Sequence, residues 1–308
     1  MSLASGFNRS KKSPALSPRP APRPMSFLAL HSSFVTAVYR WIWLGRIDGQ
    51  TPPLPPGAVV LAAHYNGAVD GFTYGSQLPP FFAVVSMQWH RTPLGRWLVP
   101  GIAVQRAKDG SGGGRNLSAF RAIVGRLRAG ERLLFFPEGT SQLGLERLPV
   151  QPGTLLLFRQ LRREAISPAI FFTAARYDQP TLWRSSVALA WVGPLALPAS
   201  AGDDARFVTD GLLAAQSAAC ARPVPRASRT AWLAPVVALP FLPTWWLVAR
   251  LAARTADDRN VIALWKFIFG VPLTVLNLLG LTLLALKLNL PACLAPVSLA
   301  GGWLLWRK

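Results

Sequence analysis

The stretch that most constrains this chain runs from Val59 to Phe72, VVLAAHYNGAVDGF. Val59–Ala63 is short, uncharged and β-branched at its start, which fits a buried strand better than a helix. It ends at His64, and Asp70 follows after a loop of small residues containing Gly67. An imidazole and a carboxylate at a strand's end stand where α/β folds gather their chemistry. On spacing alone the pair has two readings, a reacting dyad or a loop histidine with a satisfied partner.

The rest of the chain alternates short apolar runs with helical ones. Strands are expected at Phe81–Ser86, Ile102–Gln105, Leu133–Phe136, Ala169–Thr173 and Val187–Trp191. Between them, Asn116–Ala129 has Leu117, Phe120, Val124 and Leu127 on one helical face, with Arg121 and Arg128 more exposed. Such alternation predicts an α/β fold, a largely parallel sheet with flanking helices. The Gly-rich loop 110–114 is not a P-loop, because no Lys-Ser/Thr follows it; a flexible connection suits it better.

Charge and apolar length then divide the chain. With 33 Lys and Arg against 13 Asp and Glu, the formal charge of +20 points to anionic partners. Twelve Trp and 51% hydrophobic residues favour a membrane surface over nucleic acid. Two cysteines give no disulfide framework, and three scattered histidines give no metal site. Residues 1–24 are basic, rich in Ser and Pro and free of acids, and read as a disordered arm. A domain is expected over 25–198. It opens with Phe27–Leu44, read either as an interfacial helix anchored by Trp41 and Trp43 or as a core-packing helix. Residues 199–230 read as a linker, and 231–308 as a hydrophobic membrane-associated segment. In that segment Trp232–Ala249 contains Pro235, Pro240 and Pro243 and has Arg on both sides, so a re-entrant or broken hairpin is expected. Phe267–Leu286 and Leu288–Trp306 approach the ~20 residues that cross a bilayer. They are expected to form a crossing hairpin that turns near Lys287–Pro291, with Arg307 and Lys308 returning to the cytoplasmic face.

Four blocks carry the chemistry. His64 and Asp70 form the first; Gly101–Arg106 brings a guanidinium to the end of a short strand, as a phosphate requires. Leu133–Phe136 leads into Pro137-Glu138-Gly139-Thr140-Ser141, a carboxylate, a glycine and two hydroxyls at a strand's end. Ile166-Ser167-Pro168-Ala169-Ile170 begins another apolar strand. In this order the blocks resemble the glycerophospholipid acyltransferase family, the lysophosphatidic acid acyltransferase-like enzymes, over roughly residues 35–195. The resemblance implies a membrane-bound O-acyltransferase, with acyl-CoA or acyl carrier protein as co-substrate and no cofactor. Its acceptor would be a glycerophosphate-type hydroxyl, lysophosphatidic acid first. His64 would be the general base and Asp70 its orienting carboxylate; Arg106 would grip the phosphate. Glu138, Gly139 and Thr140 would shape the acceptor site, and Pro168 would line the acyl chain.

Two departures bear on the acceptor. The usual pattern has four residues between His and Asp, whereas this chain has five, Tyr65 to Val69. A subgroup with the form His-x-Asn-x-x-x-Asp, including some glycerol-3-phosphate and dihydroxyacetone-phosphate acyltransferases, is similar, and Asn66 fits it. Many members also carry Arg where this chain has Ser141, which leaves a lyso-aminolipid acceptor open.

Overall fold

A computed structural model describes residues 26–65, 67–105, 115–144, 146–179, 185–225, 233–256 and 259–307. The apolar runs pair with one another into a single sheet: β1 (Ile47–Asp48), β2 (Val59–Ala62), β3 (Phe81–Ser86), β4 (Ile102–Val104), β5 (Arg132–Phe135), β6 (Ile170–Tyr177) and β7 (Val187–Leu195). Their order is β1-β7-β6-β2-β5-β3-β4. Strands β2 to β6 run parallel, while β7 is antiparallel to β6. Every expected strand forms. β6 and β7 run further than expected, and β1 is too short to be read from sequence.

Successive strand residues face opposite sides, so each central strand feeds two cores. Val59, Leu61, Leu133, Phe135 and Phe82 meet α4 (Arg115–Arg128), α5 (Pro152–Arg163) and α6 (Asp204–Ala221). Val60, Ala62, Leu134 and Phe81 meet α1 (Phe27–Trp43), α2 (Asp70–Gly75) and the start of α9 (Ile262–Lys287). The remaining helices are α3 (Pro93–Leu98), α7 (Ala234–Val237), α8 (Leu242–Thr255) and α10 (Leu294–Arg307). A parallel sheet covered on both faces explains why its central strands are apolar throughout.

Several expectations change. The expected linker at 199–230 is mostly α6, whose Val208, Leu212, Ala215 and Ala219 are buried in the first core. Its polar composition belongs to the outer face of an amphipathic helix. The buried face of α4 carries Phe120, Ile123, Val124 and Leu127, while Leu117 is exposed. Trp43 is no surface anchor: it is buried with Tyr39 beneath α1, whereas Phe27, Leu30, Phe34 and Trp41 line the helix's outer face. The core-packing reading therefore holds for the inner side of this helix, and its outer side is apolar and exposed.

At the C-terminus the expected break occurs, because α7 is separated from α8 by a 3-10 turn at Leu239–Phe241. The turn after Lys287 also occurs. The second expected span begins later than read from sequence, as α10 (Leu294–Arg307) after that turn. The basic arm 1–24 lies outside the described residues.

Gly211 tests whether α6 belongs to the domain. A Cβ there would meet the Phe172 ring at 2.4 Å, and that ring is itself fully buried and packed edge-on against Phe207. Helix propensity favours Ala over Gly by ~1 kcal/mol, but overpacking a tight core costs ~1–3 kcal/mol. Gly211→Ala is therefore expected to lower the melting temperature; an unchanged or raised midpoint would place α6 off the sheet.

Candidate active site

The C-terminal end of β2 sets the site. His64 follows this strand, and Asp70 opens α2 after one turn of 3-10 helix. Tyr74 ties that helix back by donating its hydroxyl to the carbonyl of Ala63, at 2.8 Å. His64 Nδ1 and Asp70 Oδ2 lie 3.0 Å apart, with Asp70 fully buried. A carboxylate only accepts, so Nδ1 carries the proton and Nε2 is left with its lone pair. The imidazole stacks on Phe136, ring centroids 4.3 Å apart, which fixes its plane. The other Asp70 oxygen accepts a 2.6 Å bond from Tyr177 at the end of β6. Burial, and then the Asp70 charge, raise the Tyr177 pKa well above normal, so its hydroxyl stays a donor. The chain Tyr177–Asp70–His64 thus holds one basic nitrogen toward a cavity.

Glu138 is buried, and its two oxygens accept backbone N–H bonds from His64 at 3.2 Å and Leu148 at 3.3 Å. It therefore holds the backbone of the histidine and of the loop after β5. The following residues zip the two loops together. Gly67 donates to the carbonyl of Gln142 at 2.8 Å, and Gly144 donates to that of Tyr65 at 3.2 Å. Gly67 and Gly139 have φ of 69° and 64°, left-handed values that favour glycine. A Cβ on Gly139 would also press on Gln151 at 2.8 Å.

His64 lines a cavity of about 1270 Å³. Its lining combines apolar side chains, Val35, Phe72, Phe81, Val85, Trp89 and Trp265, with Gly139, Thr140 and the polar Gln105, Asn116, Ser141, Gln151 and Arg159. The structure thus gathers His64, Gly139 and Thr140 at the cavity, with Asp70 and Glu138 behind them. Pro168 is corrected. It precedes β6, seven residues below the level of His64 by the register Val59↔Ile170, on the order of 20 Å away, and is not among the lining residues. Asn66 and Arg106 lie outside the described residues. Sequence reasoning missed Tyr177, Arg159 and Trp265, which reach the site only through sheet order and helix packing. Among the described residues no group of acidic, His or Cys side chains could hold a metal.

No family model matches the sequence, and no curated protein matches it. Among solved structures, the 1-acyl-sn-glycerophosphate (LPA) acyltransferase PlsC of Thermotoga maritima is similar, with a TM-score of 0.47 and 14% identity. The match covers 64% of this chain and 81% of that one. So distant a likeness decides nothing about the site, whose chemistry rests on its own residues.

Replacing Glu138 with Gln leaves one acceptor oxygen for two N–H donors and turns an amide N–H₂ against the second. Leaving such a buried donor unmet costs ~1–3 kcal/mol, so a lower melting temperature is expected. Burial outweighs the N–H bonds and raises the Glu138 pKa, so the folded protein binds this proton more tightly than the unfolded chain. Its contribution to stability is thus greatest at acid pH and falls as pH rises through the raised value. Glu138→Gln should remove that segment of the pH–stability curve; an identical curve would show that the carboxylate is not buried.

Proposed function

We propose that the chain is a membrane-bound O-acyltransferase that moves a fatty acyl group from acyl-CoA or acyl carrier protein to a glycerophosphate-type hydroxyl, lysophosphatidic acid first. One observation carries this reading: a buried Tyr177–Asp70–His64 chain stands at a cavity whose lining combines apolar side chains with amides and hydroxyls. In this reading the acyl chain lies against the apolar lining and the acceptor's head group against the polar one.

The acceptor hydroxyl gives its proton to Nε2 as its oxygen attacks the thioester carbonyl. Asp70 stabilises the imidazolium that forms and keeps it in plane. The tetrahedral intermediate then collapses, the C–S bond breaks, and the departing thiolate takes the proton back from the ring. No covalent enzyme intermediate is needed. Arg106 and Asn66 are proposed to hold the acceptor, Arg106 by its phosphate.

A second acceptor class is favoured by a specific feature. Ser141 lines the cavity with Gln151 nearby, both neutral where a phosphate monoester asks for cations, which favours a lyso-aminolipid as the alternative acceptor. The five residues between His64 and Asp70 keep glycerol 3-phosphate and dihydroxyacetone phosphate as the others. Long apolar α9, the exposed face of α1 and the positive charge support action at a membrane, on its cytoplasmic face.

The test is transfer of labelled acyl groups by membranes carrying the protein, across both donors and all four acceptors. His64→Ala is expected to abolish it, since a positioned base contributes ~10²–10⁴-fold. Wild-type transfer that survives His64→Ala, or lipid binding with no transfer to any acceptor, would overturn the reading. Tyr177→Phe keeps the ring but removes one hydrogen bond to the Asp70 charge, a loss of ~1.5–3 kcal/mol. A fall in kcat on the order of 10-fold is expected, with KM for both substrates little changed. A selective rise in the acceptor's KM would instead make Tyr177 a substrate contact.

A further inference from the structure

By length and hydropathy α9 passes as a membrane-crossing helix. Its surroundings point elsewhere. Ala263, Leu264 and Phe267 are at most 6% exposed, and the Phe267 ring packs 5.3 Å from Tyr39 and 6.3 Å from Trp43 and Phe72. The first turns of α9 are thus committed to the α/β core, where Val261, just before the helix, and Trp265 also wall the cavity. Val271 still packs against that core, which leaves residues 272–287, about 24 Å of helix at 1.5 Å per residue. That falls short of ~30 Å of hydrocarbon. The 14-residue helix α8, about 21 Å, is shorter still.

The packing of the C-terminal helices adds an independent constraint. Asn277 of α9 donates to the carbonyl of Pro240 at 3.2 Å, and Ser298 of α10 bonds the carbonyl of Val237. α7, α8 and α10 thus pack with the apolar half of α9 as one packet, anchored beside the core by the first turns of α9. The exposed residues of this packet suit an oblique placement in the headgroup region. Val236, Leu239, Leu276, Leu279 and Leu283 are each more than half exposed, and Arg250 lies 4.9 Å over the ring of exposed Trp246, an aromatic and a cation suited to the interface. The outer stripe of α1, Phe27, Leu30, Phe34 and Trp41, adds exposed apolar surface to the same chain.

We propose that α7–α10 insert as one packet into a single leaflet of an anionic bilayer, on the face that bears the α/β domain, and that none of these helices crosses. This inference is independent of the acyl-transfer reading and its test requires no turnover.

The turn between α9 and α10 is the point that differs, and it holds Cys293, which is exposed. Native membranes carrying the full chain, sealed in each orientation, are treated with a membrane-impermeant maleimide. Adducts at Cys293 are read by peptide mass spectrometry. A Leu290→Cys variant gives a second reporter in the turn, and Ser167→Cys, exposed on the domain, marks the domain's face. The turn is expected to react from the domain's face or only after detergent, at less than a tenth of that extent from the opposite face. Labelling of Cys293 or Leu290→Cys from the opposite face, in vesicles where Ser167→Cys is protected, would overturn the proposal.

Discussion

A buried, ionised carboxylate cannot be left with open lone pairs, and Asp70 is where this molecule meets that constraint. At 0% exposure its oxygens take the imidazole of His64 on one side and the phenol of Tyr177 on the other. Each partner is fixed in turn by something larger. His64 is held by the Glu138 carboxylate at its backbone and by Phe136 against its ring, while Tyr177 is held by the pairing of β6 between β2 and β7. Loss of any one member leaves another polar group buried and unmet, which costs more than the bond itself is worth in water.

The sheet order makes this possible. Because β2 sits between β5 and β6, residues from three distant parts of the chain converge at its C-terminal end. The loop after β5 contributes twice, with a carboxylate turned inward beneath the histidine and Gly139 and Thr140 turned outward to the cavity. Inward carboxylate and outward backbone follow from one left-handed glycine, which reverses the chain in a space no side chain would fit.

How much of this was legible in the sequence follows from which interactions are local. His64 and Asp70 are six residues apart across a turn, and their type and position at a strand's end were readable. Strand positions were readable because buried parallel strands are uniformly apolar. Tyr177 was not, because its relation to Asp70 exists only through the pairing of β6 with β2. Glu138 was recognised, but its partners were not: only the fold shows both oxygens accepting from backbone N–H groups of His64 and Leu148. Pro168 failed for the converse reason, since adjacency to an apolar strand says nothing about which end of that strand faces the site. The linker expectation at 199–230 failed because α6 is amphipathic and its polar half dominates the composition.

The C-terminal third shows the same limit at a larger scale. Hydropathy counts residues along one helix, and by that count α9 is a membrane span. What a helix does is decided by which of its turns are already occupied. The aromatic cluster of Tyr39, Trp43, Phe72 and Phe267 binds the start of α9 into the α/β core. Trp265, two residues earlier, meets Trp89 with ring centroids 6.2 Å apart at the wall of the cavity. The helix that is apolar and exposed at one end therefore walls the cavity at the other. Under the proposed acyl transfer at a membrane, an acyl chain entering from the leaflet would pass from one apolar surface to another along the same helix, without its methylenes being exposed to water at ~0.8 kcal/mol each.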